Sequence, residues 1–394
     1  MVSPLARLLP SSLRRPRFAS LAFALGTPPR VDDQSARLGA KGSIAFLVPG
    51  MAVGSGGLTS ILRLGTWLAR FGHQVTYVSY DARTQGKLEA RVGVNLPDWQ
   101  GRVMTWKAFL EQRPRFDVGV ATRWDSCYHQ LQHQASFGRK AYFIQDYEPY
   151  FFPRGDLQLM AEGTYGMGLH HLSLGGWNLE RIQANLGIRG GDVVDFPVEL
   201  RQFPLVRRPL RHGRALRLAV YVKSDAKRAP SLLSLMLKVA ADGFRARGIA
   251  TEIKVFGMDD AQVRFPAAEN CGKLRTAPIK ALYGWADFGV VASLTNISLV
   301  NFEMLACGLP VIDLRGGSGP YFFDDSEMLF ATPGPGGLDE LLRAWWGKEE
   351  ALGAMVGRAQ DKIRDRRWTW EQTARAFEAA LQRPFQAAHP PEAP

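Results

Sequence analysis

Cysteine is scarce in this chain, and so is any long apolar run. Among 394 residues there are three cysteines, Cys127, Cys271 and Cys307. They are odd in number, far apart and outside any CxxC or Cys/His cluster, which argues against a disulfide framework and against a structural zinc site. A reducing cytoplasm is the expected setting. No apolar stretch approaches the ~18–20 residues that cross a bilayer, so no integral membrane segment is expected. A GxxxxGK[ST] loop is missing, which disfavours the P-loop ATPases, and no repeat of solenoid length is present. Acidic residues are in the minority: 37 Asp and Glu against 49 Lys and Arg leave a formal charge of +12. Such a surface favours anions, whether nucleotides, nucleic acid or an acidic membrane face, and charge alone does not choose among them. What remains, 46% apolar and 22% charged residues, is the composition of a globular chain, and 394 residues favour two domains.

The first forty residues carry Arg7, Arg14, Arg15, Arg17 and Arg30 before the first acid, Asp32. With five prolines and no sustained helical period, residues 1–40 read as a basic, poorly ordered arm. Its apolar piece, Phe18 to Leu25, is short for a signal peptide and no small-x-small cleavage site follows, so export is not expected.

From Ser43 the pattern becomes regular. Ser43 to Val48 is an apolar run of strand length, the loop Gly50 to Gly57 follows, Leu58, Ile61, Leu62, Leu64 and Leu68 recur at helical spacing up to Gly72, and Gln74 to Ser79 is a second strand. This is a βαβ unit. Further strands are expected at Asp117 to Ala121 and Ala141 to Ile144. Between Phe196 and Arg217 three prolines accompany Arg201, Arg207, Arg208, Arg211, Arg214 and Arg217, and this segment reads as a linker. A second series follows: strand 218–222, helix 231–247, strand 252–256, helix 278–286, strand 288–292, helix 299–307 and strand 311–314. The expected fold is therefore α/β, two Rossmann-like domains facing across a cleft, with ligands at the strand ends.

Three places could carry chemistry. The loop Gly54-Ser-Gly-Gly57 sits between a strand and a helix, where Gly56 and Gly57 would let backbone N–H groups approach a phosphate or sugar; tight strand-to-helix turns use glycine for packing as well. Lys223 follows a strand directly, with Lys227 and Arg228 just before the next helix, and three cations there could neutralise a diphosphate without a metal. Glu303, expected near the first turn of its helix, could accept two hydroxyl hydrogen bonds, as a ribose requires. A solvated helical carboxylate is the competing reading. His170 and His171 are adjacent and lack a carboxylate at ligand spacing, so no metal site is expected, and Trp345, Trp346, Trp368 and Trp370 read as packing.

Phe302 to Ile312, read as FEMLACGLPVI, resembles the LEAMACGLPVI signature of retaining glycosyltransferase family 4, whose fold is GT-B. Gly56-Gly57, followed by Leu68 to Val75, resembles that fold's opening GG and LAxxLxxxGHxV segments, and Trp368 to Ala374 resembles its closing helix, which crosses back to the first domain. Tyr142 to Pro153, with Ala121 to Asp125 and Phe196 to Val198, resembles the rhamnosyltransferase branch that uses dTDP-L-rhamnose to build cell-surface polysaccharide. The resemblance covers about Ser43 to Leu381.

It implies a hexosyltransferase that needs no metal or other cofactor. Glu303 resembles the second Glu of the family's E-x7-E pair, which binds ribose, and Lys223 and Arg228 keep the spacing of the basic pair that holds the donor diphosphate. The donor set implied is Gly56, Gly57, Lys223, Lys227, Arg228, Asn296, Ser298, Leu299 and Glu303, with Arg228 also assisting departure of the diphosphate. Thr295 stands where the family has its first Glu, a departure that bears on the donor sugar and on activity. Gln145, Asp146, Tyr147 and Glu148 are the expected acceptor contacts, with Asp146 and Glu148 as candidates for acid/base assistance and loop stabilisation as their competing role. The implied partners are a nucleotide sugar and a glycan or lipid-linked acceptor; the cytoplasmic expectation rests on the cysteines, and the basic arm and linker could make peripheral contact at the inner membrane face, a solvated tail being the arm's competing reading. The competing classes are a GT-B protein that uses another nucleotide sugar (UDP or GDP), one that binds without turnover, and a nucleic-acid binder, for which no reading module is present.

Overall fold

A computed structural model describes residues 26–82, 84–210, 212–258, 265, 268–366 and 369–385. The chain divides into two compact units, one drawn from residues up to Asp195 and from Trp370 onward, the other Phe196–Thr369.

The first unit is a seven-stranded sheet: β1 (Ser43–Val48), β2 (Gln74–Ser79), β3 (Arg102–Thr105), β4 (Phe116–Ala121), β5 (Phe137–Ile144), β6 (His170–Leu174) and β7 (Asp192–Val194). Every pairing is parallel and the order is β3-β2-β1-β4-β5-β6-β7. The direction of strand addition reverses between β1 and β4, the place where open α/β sheets bind ligands at their carboxyl ends. Parallel strands are covered on both faces, so β1 is a continuous apolar run rather than an alternating one: Ile44 to Val48 are all at 0% exposure. Of these, Ile44, Phe46, Leu47 and Val48 each contribute about 1.5–3 kcal/mol of hydrophobic stabilisation. The helix Gly56–Arg70 forms as its spacing predicts, capped by Ser55, whose Oγ accepts from the Leu58 N–H.

Three connections tie the ends of the chain to this sheet. His73 Nδ1 accepts the Gly42 N–H at 3.1 Å while its Nε2 meets Glu378 at 2.9 Å, on the helix Trp370–Gln382. Thr373 donates to the Asp195 carbonyl at 2.8 Å. Arg139, fully buried within β5, donates to the carbonyls of Ala36, Leu381 and Arg383 at 2.8–3.0 Å. The sequence reading placed residues 1–40 in a poorly ordered arm; residues 1–25 lie outside the described ones, but 31–38 are bound to this unit. Val31 N–H donates to Met167 O at 2.9 Å, Gln34 pairs with both backbone groups of Lys140, and Lys140 Nζ reaches Asp32 at 2.8 Å. The physical reason is burial: the charges of Arg139 and Lys140 inside a strand need partners, and this segment supplies them.

The second unit repeats the arrangement in a six-stranded parallel sheet: β8 (Ala215–Tyr221), β9 (Ala250–Phe256), β10 (Ala268–Asn270), β11 (Phe288–Val290), β12 (Val311–Leu314) and β13 (Leu329–Ala331), in the order β10-β9-β8-β11-β12-β13. Its switch point lies between β8 and β11. The residues read as the end of the first domain and as a linker pack here. Phe196 stacks on Phe302 at 5.6 Å, Val206 N–H donates to Ala306 O at 2.8 Å, and Arg208 donates to the carbonyls of Gly308, Gly284 and Ala286 at 2.7–3.1 Å. Arg207 pairs with Asp361 at 2.6 Å. Arg211 and Trp368 lie outside the described residues. Trp346 stacks on His212 at 4.3 Å and Trp370 is buried, so both are packing residues.

Candidate functional site

In the second unit the loop leaving β8 carries all three expected cations. Lys227 and Arg228 form the turn Ala226–Arg228, and Ala229 then adopts φ +44°, a left-handed conformation unusual for a residue with a Cβ. It turns the chain abruptly into the helix Pro230–Arg245, whose first residue is a proline with φ already set. Arg228 is thereby aimed at the neighbouring strand: Nη1 donates to Ala292 O, just past β11, at 2.9 Å. Lys223 Nζ donates to Gly257 O, past β9, at 2.6 Å. Both cations also lie 5.8 Å from the Tyr221 ring centre, so one aromatic ring at the end of β8 gathers Lys223 and Arg228.

The segment following β11 is fixed from below. Ser293 N–H donates to Asp313 Oδ1 at 2.9 Å, Ser318 donates both N–H and Oγ–H to Ser293 O, and Ser298 N–H donates to Ser293 Oγ at 3.2 Å. Asp313 is fully buried and also accepts from Leu314 N–H at 2.7 Å and Asn301 Nδ2 at 2.6 Å; burial raises its pKa. This hub holds Thr295, Asn296 and Ser298, all buried, at the carboxyl edge of the sheet. Ser298 caps the helix Leu299–Ala306.

Glu303 is the fifth residue of that helix, so it lies beyond the first turn, which contains no acid. The expected support from the helix dipole therefore weakens, because that effect fades within one turn. Its partner is a side chain instead: buried Tyr283 donates its hydroxyl to Glu303 Oε2 at 3.5 Å. Burial, with Glu303 second, lifts the tyrosine well above its usual range, so Tyr283 stays a donor.

In the first unit the loop after β1 is held by the helix Gln85–Asn95. Asn95 accepts from Gly54 N–H at 2.9 Å and donates to Ala52 O at 3.2 Å, while Arg91 donates to Gly50 O at 2.8 Å. Gly56 and Gly57 are exposed at the start of their helix, whose first turn carries no acid to compete for an anion. A Cβ on Gly57 would stand 3.6 Å from both Gln145 side-chain polar atoms, so the glycine loop and the end of β5 meet. Asp146, like Gln145, is half-buried. Tyr147 is buried and stacks on Tyr165 at 5.7 Å, which makes it a packing residue. Glu148 is 4% exposed, and burial pushes its pKa up to about 8.

The sequence reading passed over a group beside these. Arg123, after β4, sets its guanidinium on Asp125 with Nε–Oδ1 at 2.6 Å, and Tyr80, at the end of β2, donates to the same Oδ1 at 3.0 Å. Tyr80 stacks on His129 at 4.5 Å, and burial lowers the His129 pKa to about 4, so the imidazole is neutral at pH 7. The signal present in the sequence was Ala121 to Asp125, used there only for resemblance.

His170 and His171 do not share a site: His170 faces Asp192 at 2.7 Å, and His171 packs edge-on against the stacked rings of Tyr142 and Tyr165. Among the described residues no group of three or more His, Cys, Asp or Glu is placed to hold a metal ion, and no helix is long and apolar enough to cross a membrane.

Two parallel Rossmann-like sheets with charged groups at their switch points define the class of fold, GT-B. Solved structures agree. Sucrose-phosphate synthase from Thermosynechococcus elongatus superposes with a TM-score of 0.66 at 15% identity, covering 86% of this chain and 97% of that one. Anabaena Alr3699/HepE, in complex with UDP and glucose, gives a TM-score of 0.62 at 11% identity, covering 86% of this chain and 99% of that one. No family model matches the sequence. The O-antigen biosynthesis protein RfbC of Myxococcus xanthus is 29% identical over 323 residues, which are 78% of this chain. The match takes in 25% of RfbC, so the chain spans about a quarter of that relative's length.

Proposed function

We propose that the protein is a glycosyltransferase that moves a sugar from a nucleoside diphosphate donor, held by the second unit, to a glycan or lipid-linked acceptor, held by the first. The observation that carries this reading is Arg228, directed across the β8–β11 switch point onto Ala292 O, with Lys223 gathered on the same Tyr221 ring. Cations fixed beside a diphosphate stabilise the charge that develops as the sugar leaves, which is the main electrostatic demand of the reaction. Their chemistry supplies the role a metal ion plays elsewhere. Glu303, oriented by Tyr283, is suited to accept the ribose hydroxyls, and Asn296, Ser298 and the Leu299 amide complete the donor side.

The resemblance of Tyr142 to Pro153 favours dTDP-L-rhamnose as donor and transfer with retention, the acceptor oxygen attacking on the face from which the diphosphate departs. The HepE complex, which contains UDP and glucose, supports a UDP sugar as the competing donor. The RfbC relative supports a place in surface polysaccharide assembly. Gln145 and Asp146 would meet the acceptor, with Asp146 assisting its deprotonation. Peripheral contact with an anionic inner leaflet belongs to this reading and would rest on exposed Arg201 and Arg214, since Arg207 and Arg208 are engaged within the second unit.

A thermal-shift panel of TDP, UDP, GDP and ADP, with and without EDTA, on the wild type and Glu303→Ala tests the donor site. A ligand at about 100 times its Kd adds roughly 2.7 kcal/mol. Metal-independent stabilisation by one nucleoside diphosphate, lost in the variant, is expected, and its identity selects the donor for transfer assays. No response to any of the four would overturn the reading.

A further inference from the structure

Glu148 opens the short turn Glu148–Phe151, two residues after Asp146. Its carboxyl is turned into the protein: Oε2 accepts the Trp124 backbone N–H at 2.6 Å and the Tyr142 hydroxyl at 3.2 Å. Trp124 is the first residue of the helix Trp124–Gln132, and its N–H is one of the amides that a helix start leaves without an intrahelical partner. The residue before it is Arg123, and the residue after it is Asp125. Pairing between β4 and β5 ends at Ala121 with Tyr142, so beyond that point the two loops leave the ladder. Glu148 joins them again above the sheet.

We propose that Glu148 is a positioning residue: by holding the Trp124 amide it fixes the helix start bearing Arg123 and Asp125 against the loop bearing Gln145 and Asp146, and this register sets affinity for the acceptor sugar. The inference rests on the reading of the first unit as the acceptor-holding one. Sugar hydroxyls have fixed spacing, so two loops that each supply hydrogen-bonding groups must keep theirs; a displacement of about 1 Å can cost on the order of 10²-fold. The hydrogen bond needs only an oxygen at the right reach. A carboxyl, a carboxylate and a carboxamide can all accept from the Trp124 amide, which separates a positioning role from acid/base work.

The test compares the wild type with Glu148→Gln, Glu148→Ala and Glu148→Asp in the full chain. Amide hydrogen exchange at Trp124 is expected to be slow in the wild type and Glu148→Gln, and at least about 10-fold faster in Glu148→Ala and in the shorter Glu148→Asp. Transfer from dTDP-L-rhamnose or UDP-glucose to octyl α-L-rhamnoside or octyl β-D-glucoside is expected to show acceptor KM raised about 10-fold or more in Glu148→Ala. Donor KM and kcat should stay within about threefold, and Glu148→Gln should restore the wild-type values. If Glu148→Ala does not fold, Glu148→Asp carries the same comparison. A Glu148→Gln enzyme as impaired as Glu148→Ala, or an unchanged acceptor KM in the variants that lose Trp124 protection, overturns the proposal. If the wild type transfers no sugar from either donor, the acceptor half falls with the reading beneath it, while exchange at Trp124 still decides the loop clamp on its own.

Discussion

Glu148 Oε2 lies 2.6 Å from the Trp124 amide nitrogen, a contact between residues 24 apart that fastens the turn following β5 to the start of the helix after β4. Burial raises this carboxyl from 4.5 to about 8, so the fold favours its protonated form. In the unfolded chain the same group ionises near its ordinary value. The stability tied to the proton is therefore complete at low pH and drains away as pH rises from about 4.5 to about 8. Glu148→Gln has no proton to lose. Urea unfolding across that range should show the wild type losing stability relative to Glu148→Gln until about pH 8, with no further divergence above it. Burial lowers His129 and His171 to about 4 and acts in the opposite sense, but both proteins carry them, so the difference between the two isolates Glu148. Parallel pH profiles would refute the assignment.

Among the described residues the Arg228 side chain donates a hydrogen bond to Ala292 O, and it is half-buried. Its loss should cost stability about 1 kcal/mol or less. Its loss should cost turnover far more: if it clamps the departing diphosphate, Arg228→Ala lowers kcat about 10²-fold. Arg228→Lys should recover part of that, since an ammonium keeps the charge but not the planar fork that can face carbonyl and phosphate together. Steady-state kinetics beside thermal melting separates these effects. A near-normal kcat in Arg228→Ala would return the residue to an ordinary surface role.

Buried strands were legible because parallel sheets demand continuous apolar runs, and β1, β4 and β12 lie where those runs predict them. β3, β6 and β7 were not: the first and last have four and three residues, and β6 begins with two histidines, so none carries the apolar signal. The basic segment 201–216 was legible as charge but not as structure. Composition counts arginines; it does not reveal that Arg208 caps three carbonyls of the second unit. The cluster of Lys223, Lys227 and Arg228 was readable as a cluster because the three lie within six residues and follow a strand end. The Arg123, Asp125 and Tyr80 group was not, because Tyr80 and Asp125 stand 45 residues apart and only the sheet brings them together.

Gly308 shows why one motif glycine is fixed by physics. Its φ is +78°, and a Cβ there would stand 2.5 Å from Val206 O, a backbone atom that cannot turn aside. Glycine therefore serves both the helix end and the close approach of the segment before β8. Gly308→Ala should destabilise by about 2–3 kcal/mol, more than the roughly 1–2 kcal/mol that left-handed strain alone costs. Gly308→Asn tests the division. Asparagine tolerates positive φ better but keeps the clash, so it should remain destabilised; recovery to near wild type in urea would assign the cost to φ rather than to Val206.

Asp313 accepts from Ser293 N–H, Leu314 N–H and Asn301 Nδ2, and through Ser293 it governs the segment that presents Ala292 O to Arg228. Asp313→Ala leaves three buried donors without their acceptor and should cost about 3 kcal/mol or more. Asp313→Asn keeps an oxygen for the two amides but turns its NH2 group toward the Asn301 NH2, donor against donor, and should fall about midway. Adding Asn301→Asp to Asp313→Asn reverses that polarity, since the introduced carboxylate accepts from the introduced amide. The double variant should regain at least about 1 kcal/mol over Asp313→Asn alone, the size expected of coupling within one hydrogen-bond network. The same order should appear in nucleotide affinity, because a loosened Ser293 releases the carbonyl that orients Arg228. Additive losses in the double variant, or nucleotide binding indifferent to all three, would dissociate this hub from the donor site.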